Sequence, residues 1–571
     1  MEKLSRKEKL IFAICLVFSF LFFCYFIAHK EGYHMDELLS YELSNAEYNP
    51  WIVPTQPEGR LASFVHNEID SESFIKKLGN IANTVKDVIA NRSGSLLLSY
   101  KASVYDEPVF IDREAFRDYI TVDKTDDFNY LSVYFNVKDD NHPFLYFAAL
   151  HTVSSLFKRL AEPFVGCLVN LILILLTMTV ILYLGRLIFY MYSGDERISY
   201  YFGLFASLFF GFGSGAVSSV VFVRMYCMVA FFVTLTFYIT LNKLWKTGFK
   251  SKNKGLIAVT IAGFLTQYFY LLAVIPLFVC VSAILLKNKR VKDFLIYLRS
   301  MVIAAVVGVA VFPFCVSDVL SSTRGTEAID NLKHGLSGFG ERLISFYSIT
   351  ANKCLGNGIC FGILFAMGIA FFIYISLKRK NGGYNLIWIV GICYFLMASR
   401  LSPYMVDRYM MPVFPLICVV LAFAFAWLVM LLKNNRFVPL MLLCLTFVMS
   451  GITMLSYDGE YLYEDYDYQL ILAKRMAKIP CICVYDGVSY YENLLEFEYY
   501  TKTLLVKENE LFDYSDTESI EENNRLMLIL KRNVDDEDVL EYISGLGYEV
   551  IPNITDTSVY GDRLYLCEKE E

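Results

Sequence analysis

Residues 250–290 read KSKNKGLIAVTIAGFLTQYFYLLAVIPLFVCVSAILLKNKR. The apolar run inside this stretch, Gly255–Leu286, is 32 residues long, whereas one crossing of a bilayer takes about 20. Lys250, Lys252 and Lys254 precede it, and Lys287, Lys289 and Arg290 follow it. Basic flanks belong on the cytoplasmic side, so both ends lie inside and the run must turn back on itself. The polar and aromatic break Thr266–Tyr270 is the place for that turn. Working outward, further apolar runs cover Leu10–Ala28, Phe164–Tyr190, Tyr200–Val217, Met225–Leu241, Met301–Val316, Phe361–Leu377, Leu386–Ala398, Met411–Leu432 and Val438–Leu455. With the hairpin counted twice, the expectation is an α-helical polytopic membrane protein of about eleven transmembrane helices.

Orientation follows from the same charge rule. Lys3, Arg6, Lys7 and Lys9 place the N-terminus inside, with the first span kept as an anchor. Alternating from there puts the connections 243–254, 287–293, 378–383 and 433–436 inside, and each is basic. The formal net charge of −7 therefore divides unevenly. Residues 29–142 carry 20 acids and 11 bases, and residues 457–571 carry 27 acids and 10 bases. The remainder carries 11 acids and 30 bases. The two acidic regions fall outside the cell membrane, and no basic nucleic-acid-binding region exists.

Two domains follow: a membrane domain over 1–456, whose first external loop spans 29–142, and an acidic extracytoplasmic α/β domain over 457–571. In the loop, Phe74, Leu78, Ile81, Val85 and Ile89 stand at helical spacing, which suits a helix on the membrane surface. In the tail, Cys481–Tyr485, Thr503–Val506, Leu526–Leu530 and Tyr548–Pro552 read as short strands. Asp535–Leu546 reads as a helix with an acidic start, ended by Gly547. Cys481 and Cys483 have no second pair at zinc-ligand spacing, and Cys354 and Cys360 can either pair on the external side or stay as free thiols.

Chemistry-bearing residues gather where chain leaves the outer face of the spans. Asp36 and Glu37 follow the first span closely; adjacent carboxylates there can take a proton from a hydroxyl or bind a cation, or form a solvated helix start. Lys138, Asp139, Asp140, His142 and Pro143 precede an apolar helix and offer cations to a phosphate, or a polar cap. Arg224, Arg400, Asp407 and Arg408 stand beside spans. Arginine there is costly unless it serves an ion pair, a pathway or an anionic ligand, and guanidinium matches phosphate in a two-pronged way. The hairpin turn adds Gln267, Tyr268 and Tyr270, where non-helical backbone must be buried or line a cavity.

Taken in order, these features resemble the multi-spanning lipid-linked-sugar glycosyltransferases of GT-C type, notably bacterial glycosyltransferase family 39 and its protein O-mannosyltransferase and aminoarabinose transferase relatives. The resemblance rests on five pieces: Asp36-Glu37; His142-Pro143-Phe144-Leu145-Tyr146-Phe147; Arg224-Met225-Tyr226; the Thr266–Tyr270 hairpin; and Arg408-Tyr409-Met410-Met411-Pro412. It covers about residues 10–456. Phe144 stands where a second proline is usual, Gln267 where histidine often stands, and the acidic tail has no counterpart. The resemblance implies a hexosyl- or pentosyltransferase that takes a sugar from a polyprenyl-phosphate carrier to an extracytoplasmic acceptor with inversion. It implies Asp36, with Glu37 beside it, as the catalytic carboxylate. Arg224, Arg408, His142 and Lys138 would take the donor phosphate, and Tyr226, Gln267, Tyr268, Tyr270 and Arg400 would line the cavity. Asp139 and Asp140 are the residues for a divalent cation, magnesium or manganese, which only some relatives use.

Two other classes compete. A lipid or polymer transporter would carry inverted repeats and ionisable groups at the bilayer midplane, whereas the charges here cluster at the outer face. A membrane-bound interaction protein would use the tail to recruit an envelope partner.

Overall fold

The structure, a computed structural model, describes residues 4–48, 52, 65–90, 108–249, 253–320, 338–431, 438–551 and 559–569. The chain folds as two compact units. One comprises Met1–Ile27, Lys138–Tyr146 and Cys167–Glu460, and the other Ala28–Val137, Phe147–Gly166 and Tyr461–Glu571.

The first unit is helical. Among the described residues, eight helices are long and apolar enough to cross a membrane: Arg6–Ala28, Pro163–Ser193, Tyr226–Thr247, Tyr270–Lys287, Val291–Val311, Gly358–Arg379, Gly382–Leu401 and Met411–Leu428. Glu196–Gly211 and Ser214–Val221 make a ninth crossing if the pair, bent by 59°, counts as one. The protein is thus a multi-pass membrane protein with eight or nine candidate crossings among the described residues, against the expected eleven or so. The hairpin does break where expected, after Phe264, but its first arm, Lys254–Phe264, has only 11 residues. At 1.5 Å per residue that arm is about 16 Å long, roughly half the hydrocarbon thickness. The helix near the end of the membrane part contributes a 17-residue apolar stretch, Leu440–Ser456. The expected Met301–Val316 span lies earlier, at Val291–Val311, because Pro313 lacks an N–H and cannot extend the helix beyond Phe312.

Breaks in apolar helices free carbonyls that need donors, and side chains supply them. Thr453 donates to the Phe212 carbonyl at the 59° bend (2.7 Å). Asn170 donates to the carbonyls of Phe222 (2.7 Å) and Val220 (3.4 Å) just before Arg224. Within the helices, Thr177 and Thr234 donate to the carbonyl four residues back, which hides their hydroxyls from the apolar surround.

The second unit is built on a six-stranded sheet in the order β1-β3-β2-β4-β6-β5. The strands are β1 Phe110–Asp112, β2 Cys481–Tyr485, β3 Lys502–Lys507, β4 Arg525–Leu530, β5 Tyr548–Ile551 and β6 Arg563–Lys569. β2 runs parallel to β3 and β4, and the outer pairings are antiparallel. Alternate residues Ile482, Val484, Leu504, Val506, Leu526, Leu528 and Leu530 face a core completed by Val539 and Ile543. The second face of β2 is also buried, so its strand reads as a continuous apolar run. Asp535 caps the following helix, Asp536–Gly545, by accepting from the Glu537 N–H, and Gly547 takes the left-handed φ of +85° that ends it. The first external loop supplies β1, and also the amphipathic helix Phe74–Ala90. Cys354 and Cys360 are both free thiols, one buried and one exposed.

Candidate functional site

In the second unit, the helix Met35–Asn45 places Asp36 and Glu37 in its first turn. Its start is a capping box. The Asp36 N–H donates to His34 Nδ1 (3.0 Å), and the His34 N–H donates to Glu37 Oε2 (2.7 Å). An Nδ1 that accepts is unprotonated, so in this geometry the imidazole proton sits on Nε2. Glu37 is fully buried and its Oε2 also meets Lys30 Nζ at 3.1 Å. An isolated buried carboxylate is costly, and a buried ammonium beside it is the usual compensation. Asp36 differs: its side chain keeps 18% exposure and approaches the His34 ring at 3.7 Å. One carboxylate thus fixes the turn and the other is presented by it.

In the first unit, four of the five sequence pieces meet. The Leu145 N–H donates to the Leu265 carbonyl (3.1 Å), which ties the His142–Phe147 piece to the hairpin turn. His142 Nδ1 donates to Asp140 Oδ2 at 3.0 Å. Burial works to raise the Asp140 pKa, but the charge and hydrogen bond of His142 and the charge of Arg224 outweigh it, so the carboxyl is held below its usual range. Arg224, buried in the break before the helix Tyr226–Asn242, therefore shares a field with Asp140. Tyr226 packs edge-on to Tyr409 at 6.1 Å, and Phe269 of the hairpin meets the same Tyr409 ring at 5.2 Å. The Arg408 guanidinium lies over Tyr409 (5.7 Å) and Phe222 (6.0 Å), an arrangement in which the rings hold the cation by its flat face.

The hairpin residues divide. Tyr270 is a core residue, its hydroxyl 2.7 Å from Thr236 and its ring filling the space beside Gly263, where a Cβ would come within 2.4 Å. Tyr268 donates to Asp318 Oδ2 at 2.6 Å. Gln267 is buried at 3% exposure, and among the described residues its Oε1 has no hydrogen-bond partner. An orphaned buried acceptor calls for an explanation, and a hydroxyl donor from a ligand is one. Arg400 stands over the Phe339 ring at 5.6 Å, beside Arg342. Lys138 is buried; the Asp139 side chain lies outside the described residues.

The divalent-cation expectation rests on Asp139, whose side chain lies outside the described residues, and on Asp140. His142, Arg224, Asn141 and Tyr268 act around Asp140, and among the described residues no three His, Cys, Asp or Glu side chains converge as a metal group.

Two buried residues lay beyond the sequence reading. Asp318, from the short helix Cys315–Leu320, anchors Tyr268. Lys353, from the helix Phe339–Leu355, donates to Ser218 (3.1 Å), lies 3.7 Å from both Asp407 and Asp458, and pairs with Glu460. It fixes the residue next to Arg408 and lines a cavity of about 260 Å³ at the 59° bend, with Ser214, Thr453 and Tyr457. A single ionisable residue has no spacing signal; only its burial reveals it.

No protein-family model matches the chain, and no curated protein sequence does. Among solved structures, the chain is similar to ArnT from Cupriavidus metallidurans in the apo state, at 13% identity and a TM-score of 0.48 over 75% of this chain and 87% of that one. It is similar to the same protein bound to undecaprenyl phosphate, at 13% identity and a TM-score of 0.49 with the same coverage. It is also similar to the oligosaccharyltransferase of Archaeoglobus fulgidus in complex with zinc and sulfate, at 11% identity and a TM-score of 0.41 over 74% of this chain and 64% of that one.

Proposed function

We propose that the protein is a glycosyltransferase that moves a sugar from a polyprenyl-phosphate carrier to a hydroxyl acceptor on the outer side of the cell membrane. The observation that carries this reading is the meeting of sequence-distant pieces in the first unit: Asp140–His142 with Arg224, and the hairpin and Tyr226 with Tyr409 and Arg408. Such a set suits a phosphate whose charge grows as the bond to the sugar breaks. The charge partition of the sequence supports the outer side, where nucleotide sugars of the cytoplasm are not at hand and a lipid carrier is required.

In this reading Asp36 accepts the proton of the acceptor hydroxyl. The oxygen attacks the anomeric carbon, the bond from that carbon to the phosphate oxygen breaks with its electron pair on the phosphate, and the configuration inverts. Arg224, Arg408, His142 and Lys138 stabilise the departing polyprenyl phosphate. Gln267 Oε1 accepts from a donor hydroxyl, Tyr226 and Tyr268 shape the cavity, and Glu37 sets the pose of Asp36. The acceptor, whether protein, lipid or envelope glycan, and the sugar are left to the assay.

The test is Asp36→Asn, which keeps the size of the side chain and the backbone cap but loses the base. Sugar transfer should fall by about a hundredfold or more, with membrane insertion and melting unchanged. Full activity in that variant removes the proposed base.

A further inference from the structure

The tail grips the external segment that follows the first span. The Glu31 and Gly32 N–H groups donate to the Leu462 carbonyl (2.8 and 3.4 Å). Lys30 Nζ donates to the Tyr461 carbonyl (2.5 Å) while pairing with Glu37. Its ammonium lies over the rings of Tyr33 (4.9 Å) and Tyr463 (5.6 Å). At Gly32 a Cβ would stand 2.8 Å from Tyr466 and 2.9 Å from Tyr463, so only glycine lets the two strands of chain lie this close. On the gripping side, Tyr461 (φ 70°) and Tyr463 (φ 53°) both adopt the left-handed conformation. Bulky residues rarely adopt it, and it persists where the surroundings impose it.

A second grip comes from Tyr560, whose hydroxyl donates to the Tyr33 carbonyl at 2.6 Å, one residue before the cap of the Asp36 helix. Tyr560 is itself held. Its ring meets Tyr466 at 5.5 Å and Tyr463 at 5.7 Å, and Lys531 Nζ lies over it at 5.4 Å. Lys531, buried to 1% exposure, pairs with Asp562 (2.7 Å) and Glu492 (2.9 Å) and donates to Asn493 (2.8 Å). An ion cluster this deep favours one geometry, because any displaced member is left charged and unpaired.

From these contacts we propose that the C-terminal domain is a positioning device for the transfer reaction: through Tyr560 and the Lys30–Glu37 pair it fixes the helix turn that presents Asp36. Tyr560, Lys30 and Glu37 are positioning residues, and the domain is part of the transferase rather than a recruiting module. The inference rests on the role given to Asp36 above.

Two variants of the full chain in lipid nanodiscs test it. Tyr560→Phe removes one hydroxyl, and Lys30→Gln severs the Glu37 tie together with the ammonium's contacts to Tyr461 and Tyr463. Both should speed amide exchange at residues 36–40 by about tenfold, as loss of one tethering hydrogen bond implies, with strands β2–β4 unchanged. Both should lower kcat by about tenfold and leave KM for a polyprenyl-phosphate sugar unchanged, because a mis-set base costs turnover and not donor binding. Wild-type exchange at 36–40 in both variants, or a loss confined to KM, overturns the proposal. If the wild-type protein transfers no sugar, the functional reading falls, and the exchange measurement still decides whether the tail holds the turn.

Discussion

Among the described residues, Gln267 Oε1 is a buried acceptor with no donor. If it serves the donor, Gln267→Leu lowers kcat/KM by about tenfold, the usual cost of one lost hydrogen bond to a substrate. The same change removes an orphaned polar atom, so the melting temperature should hold or rise; a raised melting temperature with unchanged kcat/KM would make Gln267 structural only. Glu496 gives a pH prediction in the sheet unit. Burial, then the nearby Asp562, pushes its pKa from 4.5 up to about 8, against the pull of Asn493, Lys531 and Tyr466. A folded-state value above the unfolded one means that its stabilising contribution is complete below pH 4.5 and is lost as the pH rises towards about 8. The melting temperature of the full chain should fall across that window, and Glu496→Gln should flatten the fall. Of the site, the motif residues were legible because position beside a span is written in the sequence. The split between Asp36 and Glu37 was not, since neighbouring carboxylates look alike until the cap and Lys30 tell them apart.

Helices close where small residues allow it. Gly203 faces the helix Pro163–Ser193 so tightly that a Cβ would sit 2.3 Å from the Leu182 carbonyl oxygen and 2.9 Å from the Arg186 nitrogen. Both are backbone atoms that cannot rotate away, so Gly203→Val must push the two helices apart. We expect a loss of about 2–4 kcal/mol, read as a lower melting temperature in detergent; an unshifted melt would mean that the helices separate freely. Element type followed from periodicity: β2, β3, β4, β5 and the helix after Asp535 fall where the apolar pattern puts them. Crossing number did not follow, because an apolar count cannot tell an 11-residue arm such as Lys254–Phe264 from a full span. β1 has three residues, too few for any periodic signal. β6 begins with alternation, Leu564 and Leu566 buried beside half-exposed Arg563 and Tyr565, and then buries Cys567 as well.

For the whole chain, the sequence separates into two acidic regions and one basic one, and the second compact unit draws on both acidic regions. That correspondence is physical: the acidic parts are rich in water-facing carboxylates, while the basic parts are connections between apolar helices. The central claim is that the protein breaks the bond between a sugar and its lipid phosphate. Purified full-length protein in proteoliposomes, given polyprenyl-phosphate sugars and an extract of envelope acceptors, measures this directly. The account predicts one polyprenyl phosphate released per sugar transferred, with inversion at the anomeric carbon. Movement of the intact lipid-linked sugar across the bilayer, with no covalent change, would contradict it.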